Sequence, residues 1–366
     1  MKIGIDARLT YYRTGGISTY VVRLIQALER LDTQNRYTIF QNRKMRERLA
    51  PARFDCAMLW TPAHHRLERL ALSVELTRFN LDLLHSPDFI PPLRGGRRHV
   101  ITVHDLTFLH YPQYLTSDSR RYYNDQITAA VRHADHILTD SESSKRDMVE
   151  MLAVPPEKAT VHMLGVEESF KLLPPNALAS YRQQLDLPAH FILFVGTFEP
   201  RKNIVGLLDA YKELLQRLPD APPLVLAGKP GWLFDETKQQ IEQMSLGDHV
   251  LWREQVAQDA LPALYNMADV LVVPSFYEGF GLTALEAMAC GTVPIVSNRS
   301  SLPEVVGEVG LQIDPDDPAT LTAALHRALT DWEWLEANRK LGLQRAKTFT
   351  WENTAQIALS VYQAVM

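Results

Sequence analysis

PSFYEGFGLTALEAMACG, residues Pro274 to Gly291, organises the rest of the chain around it. It sets Glu278 and Glu286 eight positions apart, with Gly279-Phe280-Gly281 between them and an apolar run, Val270-Leu271-Val272-Val273, just before. That order predicts a buried strand, a glycine loop and a helix. Such a loop leaves unpaired backbone N–H groups at the helix start, where the helix dipole favours an anion, so a phosphate fits there. Glu286 is expected about one turn into the helix, within reach of a hydroxyl-rich group beside the phosphate. Glu278 is expected in the loop, facing the mouth of the site. A Gly-x-Gly loop alone, being common, reads first as an ordinary tight strand-to-helix turn carrying solvated glutamates.

The whole stretch is more specific than its glycines. It closely resembles the Glu-x7-Glu signature of the retaining family-4 glycosyltransferases. The resemblance implies an α/β fold of two facing Rossmann-like domains with the active site in the interdomain cleft. It places Glu278 against the transferred sugar and Glu286 on the nucleotide ribose. Gly279, Phe280 and Gly281 then offer backbone amides to sugar and phosphate, with Leu282 beside them.

The 366 residues suit two domains of ordinary size. With 46% hydrophobic and 22% charged residues, neither disorder nor a membrane-spanning chain is indicated. No apolar run approaches the ~18 residues of a spanning helix, and Met1 to Ile5 has the pattern of a strand, so a cytoplasmic location is expected. Cys56 and Cys290 have no metal-ligand spacing and are expected as buried thiols. The net charge of −5 argues against a nucleic-acid partner. Charge is uneven, however: residues 1–170 carry 23 Lys and Arg against 20 Asp and Glu, the remainder 15 against 23. Basic clusters at Arg43, Lys44, Arg46, Arg48 and Arg53 and at Arg94, Arg97 and Arg98 suggest peripheral contact with anionic lipid at the inner face of a membrane.

In the first half, Met1 to Ile5 reads as a strand, followed by a loop to Gly15-Gly16 and a helix with apolar positions Val21, Leu24, Ile25 and Leu28. Gly16 would let backbone approach a ligand closely. The resemblance puts this glycine pair against the donor diphosphate. Further strands are expected near Tyr37–Gln41, Cys56–Trp60, Leu81–His85, His99–Val103, His136–Thr139 and Thr160–Met163, alternating with helices as in a parallel sheet. Ligands of such sheets bind beyond the C-terminal strand ends. His104-Asp105 stands at one, and the segment HDLTFLHYP resembles the His-Asp-Leu segment of mannosyltransferase-like members, whose histidine contacts the donor sugar. Asp105 either orients that ring or holds the loop, and His110 and Tyr111 extend the segment towards the acceptor. Asp140-Ser141 reads as a helix N-cap. Gly165 to Pro175 reads as the linker, giving domains 1–170 and 171–348 and a helix 349–366 that by resemblance crosses back to the first domain.

In the second half, Phe191 to Val195 is a strand and Gly196-Thr197-Phe198-Glu199-Pro200-Arg201-Lys202-Asn203 leads into a helix. Arg201 offers a planar fork and Lys202 a compact charge to a diphosphate. Many family members carry arginine where this chain has Thr197, so Arg201 is expected to supply that charge. A helix is expected near Phe234–Met244, and Gln255 and Val256 fall where the family holds the base. Ser301-Leu302-Pro303-Glu304 reads as a capping box. Asp314-Pro315-Asp316-Asp317 has the Asp-x-Asp spacing of some metal sites, yet it precedes a helix and capping is the better reading. No metal or other cofactor is expected to be required. The catalytic set is then His104, Glu278 and Lys202. GDP-mannose is the favoured donor and UDP-glucose the alternative, with a glycan or lipid-linked acceptor. A sugar-nucleotide epimerase, a pyridoxal-dependent phosphorylase or a non-catalytic sugar-nucleotide module on the same plan are the rivals.

Overall fold

Short runs such as Val270–Val273 are apolar at every position rather than at alternate ones, the pattern of strands covered on both faces. In the computed structural model, which describes residues 1–12, 15–65, 67–114, 117–231, 238, 239, 243, 244, 246–254 and 256–366, these runs form two parallel sheets. The helix expected near Phe234–Met244 lies mostly outside the described residues. The chain divides into one unit of Met1–Gly165 with Thr350–Met366 and another of Val166–Phe349.

The first unit holds β1 (Lys2–Asp6), β2 (Arg36–Asn42), β3 (Asp55–Leu59), β4 (Leu81–Ser86), β5 (Gly96–Val103), β6 (His136–Thr139) and β7 (Ala159–Val161). Their order across the sheet is β3-β2-β1-β4-β5-β6-β7. Ile3 pairs with Tyr37 on one side and Leu83 on the other, so the chain reverses its direction of travel between β1 and β4. That switch point opens a crevice at the strands' C-terminal ends. The helix Gly16–Leu31 turns Val21, Leu24, Ile25 and Leu28 inward, as their spacing predicts, and packs against the helix Trp351–Ala364. A buried polar chain ties this returning helix to the sheet: Tyr362 hydroxyl to His85 Nδ1 at 2.6 Å, His85 Nε2 to Thr102 at 2.8 Å, and Thr102 to Tyr20 at 2.8 Å. Cys56 is half-buried rather than buried, its thiol on Gln41, whereas Cys290 is buried.

The second unit repeats the plan with β8 (Ile192–Val195), β9 (Leu224–Ala227), β10 (Val250–Arg253), β11 (Val270–Val273), β12 (Val293–Ser297) and β13 (Leu311–Ile313), in the order β10-β9-β8-β11-β12-β13. Its switch point lies between β8 and β11, the two strands that carry the basic loop and the glutamate loop. Ile192, Phe194, Leu224, Leu226, Val270, Val272 and Ile295 form its core with the helix Ile204–Arg217.

The chain passes between units at Gly165–Val166 and returns at Phe349–Thr350, a few residues before the linker boundary expected from composition. Backbone pairing sets the place: Val166 N–H donates to Phe349 carbonyl at 3.2 Å within the second unit. On the other side of the step Gly165 lies against Trp351, and a Cβ on it would stand 2.2 Å from the Trp351 nitrogen. Gly165→Ala is therefore expected to push the returning helix outward and destabilise the protein by about 1–3 kcal/mol, read from urea or thermal unfolding.

Candidate active site

The loop after β8 bends through a short 3-10 turn, Pro200–Lys202, and ends at Asn203 in the left-handed region at φ 54°. Asn203 Oδ1 caps the helix Ile204–Arg217 by accepting from Gly206 N–H at 3.3 Å, and its amide donates to Pro315 carbonyl at 2.8 Å. With its far end so fixed, the turn points Lys202 and Arg201 at β11. Lys202 Nζ donates to Glu278 Oε1 at 2.5 Å and Arg201 Nη1 to Glu278 Oε2 at 3.3 Å, while Ser275 hydroxyl adds a 2.8 Å bond. Arg201 Nε is held by Glu199 at 2.8 Å. Burial alone would raise the Glu278 pKa, but Lys202 and Arg201 outweigh it and hold the carboxyl down at about 2. Burial pushes the Lys202 ammonium pKa down, with Glu278 opposing.

Glu278 is therefore not the solvated glutamate of an ordinary turn: it is 8% exposed and serves as the internal counter-charge of the two cations. The reason is that β8 and β11 are adjacent, which brings residues 76 and 77 positions apart into hydrogen-bond range. The glutamate loop is clamped from below. Ser300 hydroxyl accepts from Glu278 N–H at 2.9 Å, and Ser301 hydroxyl reaches the carbonyls of Glu278 and Phe280, both at 2.8 Å. Ser301 thus makes no side-chain cap bond to its own helix, correcting the capping-box reading. Gly281 sits at φ 103°, with Leu302 Cδ2 only 2.7 Å from where a Cβ would be, so glycine is required there.

Gly281 is the N-cap of the helix Leu282–Ala289, and Glu286 lies one turn in. Its carboxylate accepts from Tyr265 hydroxyl at 2.8 Å. Burial drives the Glu286 pKa up to about 8, so this carboxyl is largely protonated at neutral pH and can both donate to and accept from a neutral diol. The two glutamates of the motif are thus split by environment into an ionised group beside cations and a neutral one. Gly279, Phe280, Gly281 and Leu282 span the short connection between them. Val256 is half-buried after β10, and Gln255 lies outside the described residues. Asp314 and Asp316 pair with Arg299, and Asp317 accepts from Ala319 N–H at 3.0 Å as a helix cap.

In the first unit, His104 follows β5. Its Nδ1 lies 2.7 Å from Asp140 Oδ2 and its Nε2 3.1 Å from Pro87 carbonyl, so both nitrogens meet acceptors. Burial would lower the His104 pKa, but the Asp140 carboxylate overrides it and raises the value to about 9. His104 is an imidazolium at neutral pH. Tyr20, one turn into the helix that begins at Gly16, packs its ring edge on the imidazole with centroids 4.9 Å apart. Gly15 is that helix's N-cap at φ 138°, a conformation suited to glycine. Asp105 accepts from Thr107 N–H at 2.8 Å, so it holds the loop while Asp140 orients the ring. The N-cap of the next helix is Ser141, whose hydroxyl accepts from Ser144 N–H at 3.1 Å, and Asp140 is not part of the cap. His110 Nε2 pairs with Asp147 at 3.1 Å. Sequence reasoning assigned Asp140 and Ser301 to helix caps and missed Ser275 and Tyr265. Only Asp140 had a usable signal, a carboxylate directly after a strand in a parallel sheet.

Two family models match the chain, Glycosyltransferase Family 4 over residues 14–170 and Glycosyl transferases group 1 over residues 180–347. O-antigen chain mannosyltransferase B of Escherichia coli is 36% identical over 282 residues, which cover 77% of this chain and 74% of that protein. Among solved structures, sucrose-phosphate synthase of Thermosynechococcus elongatus aligns over 100% of this chain and 98% of its own with a TM-score of 0.80 at 23% identity. Anabaena HepE in complex with UDP-glucose aligns over 100% of both chains with a TM-score of 0.78 at 18% identity. At these identities the structural likenesses speak to the fold alone.

The His104–Asp140 pair makes a definite pH prediction. Because the folded His104 pKa is raised to about 9, its contribution to stability is fully present below the ordinary histidine value of ~6.5 and is lost as pH rises through about 9. An NMR titration of the His104 ring should show that value in the native protein. In Asp140→Asn it should fall to ~6.5 or below, because burial then acts with little opposition.

Proposed function

The chain belongs to the group 1, family-4 glycosyltransferases, and from that premise we propose that it is a retaining, metal-independent mannosyltransferase using GDP-mannose to extend a glycan or lipid-linked acceptor. Hexosyl transfer itself follows from the family and from the mannosyltransferase relative. The observation that carries the reading is the grouping of Lys202, Arg201 and Glu278 at the β8/β11 switch point. A diphosphate entering there competes with Glu278 for the same N–H donors. As it binds, the cations turn to phosphate oxygens and the freed carboxylate takes hydroxyls of the sugar.

In the proposed reaction the bond between the sugar's anomeric carbon and the diphosphate oxygen breaks while the acceptor oxygen bonds that carbon from the same face. The acceptor proton passes to the departing phosphate oxygen. Arg201 and Lys202 stabilise the charge building on the leaving group, and fixed charges aimed at a developing charge are the main source of rate enhancement in such sites. Neutral Glu286 is suited to the ribose diol, and the His104 imidazolium to an oxygen of the donor sugar. GDP-mannose is favoured over UDP-glucose by the similarity to the E. coli mannosyltransferase.

Calorimetric titration without added metal should show GDP and GDP-mannose binding more tightly than UDP, ADP or UDP-glucose, and a UDP preference would shift the reading to a glucosyl-type transferase. His104→Ala and Glu278→Ala should each lower acceptor-dependent GDP release by roughly 10²–10⁴. Near-normal transfer in both would remove these residues from the chemistry. Loss of activity with a chelator, restored by magnesium or manganese, would refute metal independence.

We also infer that the first unit rests on an anionic membrane surface. Among the described residues no helix is long and apolar enough to cross a membrane. Yet the helix Glu68–Leu76 is apolar on both sides: Leu72 and Leu76 face the core, while Leu70 and Val74, with Leu67 just before it, face outward at 57%, 76% and 60% exposure. Trp60 lies beside it, its backbone N–H on Glu75 at 2.7 Å, and is 70% exposed under the Arg43 guanidinium. Leu93 and Arg94 adjoin the same helix through bonds to Arg69 and Ser73. An apolar patch rimmed by arginine suits acyl chains below and anionic headgroups around. The basic clusters contribute only in part, because Arg48 and Arg53 donate to backbone carbonyls and Arg98 pairs with Asp135. The wild type should float with phosphatidylglycerol-containing vesicles at low salt, and Trp60→Ser with Val74→Ser should abolish this. Equal retention on purely phosphatidylcholine vesicles would sink the electrostatic part.

A further inference from the structure

A second built cluster stands at the switch point of the first unit, and the proposed chemistry does not use it. Arg8, 1% exposed, spends its guanidinium on Asp6 (2.8 and 2.7 Å), on Thr61 carbonyl (2.8 Å) and on Glu68 Oε1 (2.7 Å). The other oxygen of Glu68, itself 3% exposed, accepts the backbone N–H of His64 at 2.6 Å. This buried chain of charges ends on the backbone of His64, which stands at φ +59°, in the left-handed region that few residues other than glycine, asparagine, aspartate and histidine occupy. So held, His64 Nε2 meets Asp88 Oδ2 at 2.7 Å.

Asp88 is fixed in turn. Its Oδ1 accepts Phe89 N–H at 2.7 Å, and the carbonyl of its neighbour Pro87 is the one that His104 contacts. The dyad therefore sits one residue from the partner of the candidate catalytic histidine. Both its side chains are 19% exposed, buried enough to be oriented and open enough to bind. Ser86, 3% exposed, lines the same small cavity as Asp6, His64, Glu68 and Asp88, and its hydroxyl has no hydrogen-bond partner among the described residues. Beside the dyad is an aromatic surface, with Phe89 against Tyr123 at 5.8 Å and His64 edge-on to Tyr123 at 6.2 Å.

We propose that His64 and Asp88 bind the acceptor, taking two neighbouring hydroxyls of its terminal pyranose while Phe89 and Tyr123 cover the sugar's apolar face. The charge of the cluster selects the ligand class. Three carboxylates, Asp6, Glu68 and Asp88, face one guanidinium, the His64 imidazole and, behind Pro87, the His104 imidazolium; the guanidinium is committed to Asp6 and Glu68, and the imidazolium to Asp140. Such a site repels phosphate and acidic sugars and accepts a neutral polyol, the reverse of the cationic set at Lys202. A mere loop staple would need neither the buried Arg8–Glu68 support nor, beside it, a buried hydroxyl, that of Ser86, unpartnered among the described residues.

The proposal rests on the glycosyl transfer proposed above, and its test separates the two. Methyl α-mannoside is titrated into protein carrying ring-labelled histidine, with the His64 resonance assigned by its loss in His64→Asn, a residue that tolerates positive φ. The wild-type His64 signal should shift saturably. Asp88→Asn should weaken the mannoside by about tenfold or more. GDP-mannose affinity, measured on the same samples by calorimetry, should be unchanged in both variants. Absence of any His64 shift at the solubility limit of the mannoside, or equal mannoside affinity in Asp88→Asn, overturns the dyad's role. So does a parallel loss of donor affinity in both variants, which would mark a structural staple. Failure of the wild type to bind any nucleotide sugar, with the mannoside response intact, would instead strike the transferase reading and leave a sugar site.

Discussion

The buried contact of Glu278 with Lys202 and Arg201 is the constraint on which the second unit is built. An ion pair removed from water is costly to assemble and more costly to break on one side, because the remaining charge is then buried alone. The unit meets that cost with a Ser275 hydroxyl on the carboxylate, Glu199 on the far edge of Arg201, and two serines bracing the loop backbone. All of it depends on β8 and β11 being neighbours. Their adjacency is a property of the sheet order and of the parallel crossovers that create it.

The first unit solves a related problem with a single cation and a single carboxylate. Here the cation is His104 and the counter-charge Asp140, delivered by the ends of β5 and β6, which are also neighbours. Behind the pair, Tyr20 joins the buried chain through Thr102 and His85 to Tyr362 on the returning helix. The last residues of the chain thereby belong to the same packed unit as the first. In both units, polar side chains gather where parallel strands end, since there the ladder of backbone bonds stops and side chains can converge without interrupting it.

The fold was highly legible. Runs such as Val270–Val273 and Leu224–Ala227 are too short for helices and apolar throughout, and the 3.6-residue period at Val21, Leu24, Ile25 and Leu28 has one physical reading. The motif residues were legible too, because a Gly at φ 103° with Leu302 against it leaves no other choice of residue. Their states were not. Glu278 and Glu286 are the same amino acid eight positions apart, and their states differ because Lys202 and Arg201, distant in sequence, outweigh burial for one, whereas burial outweighs the opposing Tyr265 hydroxyl for the other. Ser301 misled for the same reason, since Ser-x-x-Glu describes a local cap and the hydroxyl is used across the fold.

The amino-acid order by itself determined the alternation of strands and helices, the two glycine-opened loops, the cations at Arg201-Lys202 and the family the motif resembles, because each is written in local spacing and steric demand. Only the tertiary structure decided which charges neutralise which, that Asp140 serves His104 rather than a helix cap, and that Arg8 and Glu68 are spent holding His64 against Asp88. Those facts depend on distances between residues tens of positions apart. Such distances are set by the order in which strands are laid into a sheet, and no local pattern records that order.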